Sequence, residues 1–257
     1  MIPTPRPVTL RSIVLGDGRP AVCVPLTGRT EEALVATAAA LPREAYDVVE
    51  LRVDWLTAVD DIAQAMSALV AVRATLPDDV PVIATFRTKQ EGGERDITPD
   101  DYGLLLGALI GTGAADAVDV EMFTQPDVLE SVVDSAHAAG VAVVMSSHDF
   151  AATPTRDEIV SRLLLQQELG ADVVKLAAMP RSADDVLTLL AATLEFRAGA
   201  GLVPAVTMSM GPLGAVSRVA GEAFGSCLTF GTVGESSAPG QLDAAGLRAT
   251  LELLHRG

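Results

Sequence analysis

Eight short apolar runs, most of them rich in β-branched residues, recur along this chain with amphipathic stretches between them, and no other feature restricts the fold so far. They are AVCVPL from Ala21, VVELRVDWL from Val48, VPVIATFRT from Val80, AVDVEM from Ala117, VAVVMSSHDF from Val141, ADVVKLAAM from Ala171, LVPAVTMSM from Leu202 and SCLTFGTVG from Ser226. Their spacing is about thirty residues, the length of a βαβ unit. Helix punctuation lies in the gaps. Thr30 precedes Glu31 to Leu41, Thr98-Pro99 opens Asp100 to Ile110, Thr155 precedes Arg156 to Leu169 with Gly170 as a stop, and Ser182 precedes Ala183 to Arg197 with Gly199 following. A last helical stretch runs from Leu242 to Leu254.

Ahead of these units, VTLRSIVLGDGRPAVCV gives two apolar runs around Asp17 and Gly18, a hairpin signal. Eight β-then-α units after a hairpin predict an α/β fold, a (β/α)8 TIM barrel with the N-terminal β-hairpin closing the barrel floor. The rival is an open doubly wound sheet. It calls for a glycine-rich phosphate loop after the first strand, and PLTGRTEE has none. With no Gly-, Pro- or Ser-rich linker in its 257 residues, the chain is expected to be a single catalytic domain over 1–257.

The formal net charge of -16 argues against nucleic acid or an anionic membrane surface as partner, since both need a basic footprint. An anionic ligand then requires a local arginine cluster. The acidity is a solubility or salt-adaptation feature. No apolar run reaches membrane-spanning length and no basic-then-apolar leader opens the chain, so a cytoplasmic protein is expected. Cys23 and Cys227 lie far apart in apolar runs, which points to buried free thiols rather than a disulfide or zinc site.

In a barrel, chemistry gathers at the C-terminal ends of the strands. There these runs turn polar. Glu50, Arg52 and Asp54 alternate in the second; Thr85 and Arg87 end the third, before Glu91, Gly92 and Gly93; Asp119 and Glu121 share a face of the fourth. Ser146, Ser147, His148 and Asp149 end the fifth, and the seventh carries Thr207 and Ser209. Any one of these taken alone is a solvated strand end. Lys175, inside the sixth run, is different: the chain has two lysines, Lys89 and Lys175, and arginine at every other basic position. A buried amine tends to lose its proton and becomes a nucleophile, the requirement for Schiff-base chemistry. The competing reading ends the strand at Lys175 and lets its ammonium snorkel into water. Strands about 4.8 Å apart bring His148 and Lys175 within reach of one substrate carbon. His137 and His255 fall in helices and are read as surface or packing residues. A metal held by His148 with Asp119 or Glu121 lacks a second inward histidine. Arg218 lies on a short helical segment after the seventh strand, and GTVGESSAPGQ after the eighth is a candidate lid or a plain connection.

ELRVDWL, ATFRTKQEGG, VDVE, SSHDF, VVKLAAM, TMSMGPLGAVSR and FGSCLTFGTVGESSAPGQ, in this order, resemble type I 3-dehydroquinate dehydratase, the imine-forming enzyme of the shikimate pathway. The resemblance implies that Lys175 forms the Schiff base, that His148 is the general acid/base and that Glu91 orients it. It implies substrate contacts and supporting ion pairs from Glu50, Arg52 and Arg87, a carboxylate site at Arg218, and a lid closing through Ser237 and Gln241. It further implies 3-dehydroquinate as the small-molecule substrate, no metal or other cofactor, and a homodimer. Ser147 stands where the family often has an aromatic residue, a change expected to affect packing behind the site. Two alternatives stay open: another Schiff-base barrel lyase such as a sugar-phosphate aldolase, and a non-catalytic ligand-binding barrel.

Overall fold

The structure, a computed structural model, describes residues 5–234 and 240–255. Two short strands, β1 (Val8–Leu10) and β2 (Ile13–Leu15), form an antiparallel hairpin. The eight runs then follow as β3 (Ala21–Leu26), β4 (Val48–Arg52), β5 (Val82–Thr85), β6 (Ala117–Glu121), β7 (Ala142–Asp149), β8 (Val173–Ala178), β9 (Ala205–Ser209) and β10 (Leu228–Thr232). Neighbours in sequence pair in parallel from β3 to β9, and β10 pairs with β3. The ring closes where the Cys227 N–H donates to the Ala205 carbonyl at 2.8 Å and the Ser226 hydroxyl accepts from the Thr207 N–H at 3.1 Å. This is the expected barrel.

The helices are α1 (Glu31–Ala40), α2 (Ile62–Thr75), α3 (Pro99–Gly111), α4 (Pro126–Ala138), α5 (Arg156–Glu168), α6 (Ala183–Ala198), the short α7 (Ala215–Val219) and α8 (Gly221–Phe224), and α9 (Ala244–His255). Thr30, Thr98, Thr155 and Ser182 cap their helices as read, and Ser182 with Asp185 completes a capping box. Asp61 caps α2, and α4 begins at Pro126 after Gln125, whose side chain makes no cap bond. The final helix starts two residues late, because Leu242 and Asp243 first form a short strand, β11, parallel to β10.

The hairpin turn is a correction. It lies at Arg11-Ser12, between the paired Leu10 and Ile13, with Arg11 at φ 52; Asp17 and Gly18 instead link the hairpin to β3. What places it is the floor. Leu10 and Leu15 are buried against Ala21, Cys23, Val48, Ile83, Ala117, Val144, Val173 and Val206, the inward side chains at the strands' N-terminal ends. Arg11 donates to Asp116 at 2.7 Å and to the Asp78 carbonyl at 2.7 Å, both in loops at that end. The free Cys23 and Cys227 also lie in this apolar plug, where burial raises both thiols and takes that of Cys227 up to about 12.

Candidate active site

Because side chains alternate across a strand, each inward row begins apolar at the floor and can turn polar only nearer the mouth. It does so in the next layer up. Val48, Ile83, Ala117, Val144 and Val173 are followed two residues later by Glu50, Thr85, Asp119, Ser146 and Lys175, and then by Arg52, Arg87, Glu121, His148 and Ala177. Glu50, Arg52, Arg87, Glu91, His148, Lys175, Arg218 and Gln241 all border one pocket, whose apolar walls are Phe150, Ala177, Met208, Met210 and Phe230. Ser237 lies outside the described residues, as does most of the candidate lid.

Lys175 is 4% exposed, so its side chain does not snorkel into water. Its Nζ donates to Asp119 Oδ2 at 2.8 Å, lies 3.5 Å from Glu50 Oε1, and stands 4.7 Å from the centre of the Phe230 ring. Two carboxylates thus flank this amine. Asp119 also accepts from the Ser146 hydroxyl at 2.6 Å and lies 2.7 Å from Arg87 Nη2. Burial alone would raise the Asp119 carboxyl, but Arg87 and Lys175 hold it well below the usual carboxylate range.

Arg87 is the hub of this charge cluster. Its Nη1 donates to Glu121 at 3.0 Å and to the Ser146 hydroxyl at 2.9 Å, and lies 3.5 Å from Glu91. Glu121 in turn accepts from the Thr88 N–H and hydroxyl at 2.8 and 2.7 Å, which ties down the short helical turn Lys89–Glu91. Arg52 donates two parallel bonds, at 2.8 and 2.7 Å, to Asp54. Asp54 is a second correction. The strand stops at Arg52 and Val53–Trp55 forms a 3-10 turn, so this carboxylate leaves the mouth and is buried under the β5 loop, accepting from the Arg87 and Glu94 N–H groups.

His148 Nδ1 and Glu91 Oε2 are 2.8 Å apart, and among the described residues Nε2 has no hydrogen-bond partner. Burial, then Arg87 and Lys175, push the imidazole well below its ordinary range, so it is neutral at pH 7. Burial likewise raises Glu91, to about 8, against the pull of Arg87. With both groups neutral, the carboxyl proton lies on the Oε2···Nδ1 contact and the imidazole's own proton on Nε2. Loss of one proton leaves Glu91 a carboxylate accepting from Nδ1–H, and in that form Nε2 carries a lone pair and serves as a base.

Alternation also corrects the seventh strand. Met208 and Met210 border the pocket, whereas the Thr207 hydroxyl meets Thr193 at 2.7 Å and the Ser209 N–H donates to the Ser217 hydroxyl at 2.9 Å, both on the helix side. Ser147 too is buried behind the wall, 3.5 Å from Gln166, so its departure from the family pattern concerns packing. Arg218, on α7, is 2% exposed; it approaches Met208 Sδ at 3.9 Å and the Phe230 carbonyl at 3.4 Å, and burial lowers it to about 10. His137 and His255 pair with Asp172 and Glu222 on the outside, as read. Among the described residues no group of three His, Cys, Asp or Glu is disposed to hold a metal ion, and no helix is long and apolar enough to cross a membrane. Sequence reasoning weighed Asp119 only as a strand-end carboxylate or metal ligand and gave no role to Phe230 or Met208.

A sequence model described as type I 3-dehydroquinase matches residues 22–257. The 3-dehydroquinate dehydratase of Syntrophotalea carbinolica is 51% identical over 248 residues, 96% of this chain and 98% of that protein. That of Klebsiella pneumoniae is 45% identical over 96% of this chain and 98% of its own. The type I 3-dehydroquinate dehydratase of Clostridium difficile, solved with covalently modified comenic acid, superposes with a TM-score of 0.94 at 42% identity, covering 98% of this chain and 99% of that one.

Proposed function

This chain belongs to the type I 3-dehydroquinase family, and from that premise we propose that Lys175, His148 and Glu91 carry out its reaction while Glu50, Arg52, Arg87, Arg218, Ser237 and Gln241 hold the substrate or the groups around it. The enzyme dehydrates 3-dehydroquinate to 3-dehydroshikimate through a lysine Schiff base. The observation that carries the assignment is the shared pocket of a buried lysine amine and an imidazole that Glu91 holds by Nδ1.

The Lys175 amine adds to the ketone carbon and water leaves, giving an iminium. That electron sink acidifies the adjacent C2–H. His148 Nε2 takes the proton while the pair's shared proton lies on Nδ1 and Glu91 balances the imidazolium as a carboxylate. The C2 electrons expel the C1 hydroxyl, which the imidazolium protonates so that it departs as water. A second water hydrolyses the imine, restores the amine and releases the product. No step calls on a metal or organic cofactor.

Asp119, a carboxylate throughout, orients Nζ, and the cation at Arg218 receives the substrate carboxylate in planar, two-bond geometry. Met208, Met210 and Phe230 keep water from that wall and strengthen these contacts. As part of the same reading, residues 1–257 act as one catalytic domain, in the cytoplasm and as a homodimer. Residues on or just after β4, β5, β7, β8, β9 and β10 border one pocket, which supports the single domain, and sedimentation at twice the chain mass tests the dimer. The function is tested by conversion of 3-dehydroquinate: Lys175→Ala abolishes both turnover and borohydride-trapped adduct, and retained turnover would reject the assignment.

A further inference from the structure

Gln166 lies near the end of α5, behind the barrel wall, and is fully buried. A buried primary amide is costly unless its acceptor and donors are matched. Here they are matched to a single residue. The Lys175 backbone N–H donates to Gln166 Oε1 at 2.9 Å, and Gln166 Nε2 donates to the Lys175 carbonyl at 3.0 Å. Nε2 also approaches Met122 Sδ at 3.4 Å and Ser147 Oγ at 3.5 Å, so the amide touches β7 one residue before His148. None of the pocket lining is contributed by Gln166.

We propose that Gln166 is a positioning residue for the imine-forming step: it grips both main-chain groups of Lys175 and so sets the point from which the side chain enters the pocket. The proposal rests on Lys175 being the imine-forming residue. The chain of contacts is short, from the Gln166 amide to the Lys175 backbone, and from the Lys175 Nζ to Asp119 at 2.8 Å and Glu50 at 3.5 Å. A shift of the backbone carries Nζ out of that cradle, and a misplacement near 1 Å costs about 100-fold in rate. The chemistry of the grip is specific: an amide accepts and donates, a carboxylate only accepts, and a thioether does neither usefully.

The test compares parent, Gln166→Met and Gln166→Glu by borohydride trapping with 3-dehydroquinate, steady-state kinetics and circular dichroism from acid to neutral pH. A parent without adduct on Lys175 overturns the assignment of Lys175 itself. With the parent labelled, Gln166→Met is expected to form adduct about 100-fold more slowly with KM little changed. Gln166→Glu should approach the parent in acid, where a protonated carboxyl both accepts and donates, and fall away from it as the carboxyl ionises. If Gln166→Met does not fold, the ratio of Gln166→Glu to parent across pH decides. Trapping by Gln166→Met at the parent rate, or a Gln166→Glu rate parallel to the parent's at every pH, would overturn the positioning role.

Discussion

Two titrating groups in this pocket are displaced in opposite directions by the same cause. Burial lowers His148 and raises Glu91, so both favour their neutral forms, and loss of one proton from the pair leaves Glu91 accepting from Nδ1–H across their 2.8 Å contact, with Nε2 as the base. Replacing His148 with alanine leaves Lys175 in its cradle. The variant should still give borohydride-trapped adduct, while turnover falls about 10²- to 10⁴-fold, the usual worth of a placed acid/base. Normal turnover by that variant would remove His148 from the mechanism. The Glu91 displacement also has a stability consequence. Its folded pKa, about 8, lies above the ordinary carboxylate value of 4.5, so the stability it contributes is full below the unfolded value and is lost as pH rises through about 8. Glu91→Gln should cancel that loss: the melting temperature of the variant relative to the parent climbs across this window, and a flat difference would contradict the buried neutral carboxyl. Lys175 and His148 were legible in the sequence because a lysine inside an apolar run and a histidine at the end of the neighbouring one stand out, whereas the role of Glu91 came from the resemblance to the family. Asp119 was not assigned, since its bond to Lys175 spans β6 to β8 across β7 and exists only once the barrel is curled.

At the scale of elements, the strands were readable because each carries a continuous apolar run, and the capped helices because Thr30, Thr98, Thr155 and Ser182 announce them. Direction within a strand end was less so. Thr207 and Ser209 are polar yet face α6 and α7, and Met208 reads as core although it walls the pocket. The hairpin turn was misplaced for a similar reason: Asp-Gly is a strong local signal, but the floor selects the register that buries Leu10 and Leu15. Leu15 is 1% exposed in that plug, and Leu15→Ala should cost about 2 to 5 kcal/mol in chemical denaturation while kcat of the folded enzyme holds. A matching fall in kcat would mean that the floor also shapes the site.

For the whole molecule, a net charge of -16 places the reaction of an anionic substrate inside an acidic protein. At the mouth the barrel buries Arg52, Arg87 and Lys175, each against carboxylates, and sets Arg218 beside Met208 and Phe230. Self-repulsion on that scale destabilises the compact state and is screened within about 10 Å at 0.1 M salt. The melting temperature should therefore rise as sodium chloride is added from low ionic strength; a fall would show that surface ion pairs outweigh the repulsion. The central claim, however, is covalent. Incubating the protein with 3-dehydroquinate, reducing with borohydride and mapping the adduct by peptide mass spectrometry tests it most directly. The account predicts modification at Lys175, absent from Lys175→Ala, with 3-dehydroshikimate accumulating in the unreduced sample. Folded protein that turns substrate over without an adduct at Lys175 would contradict it.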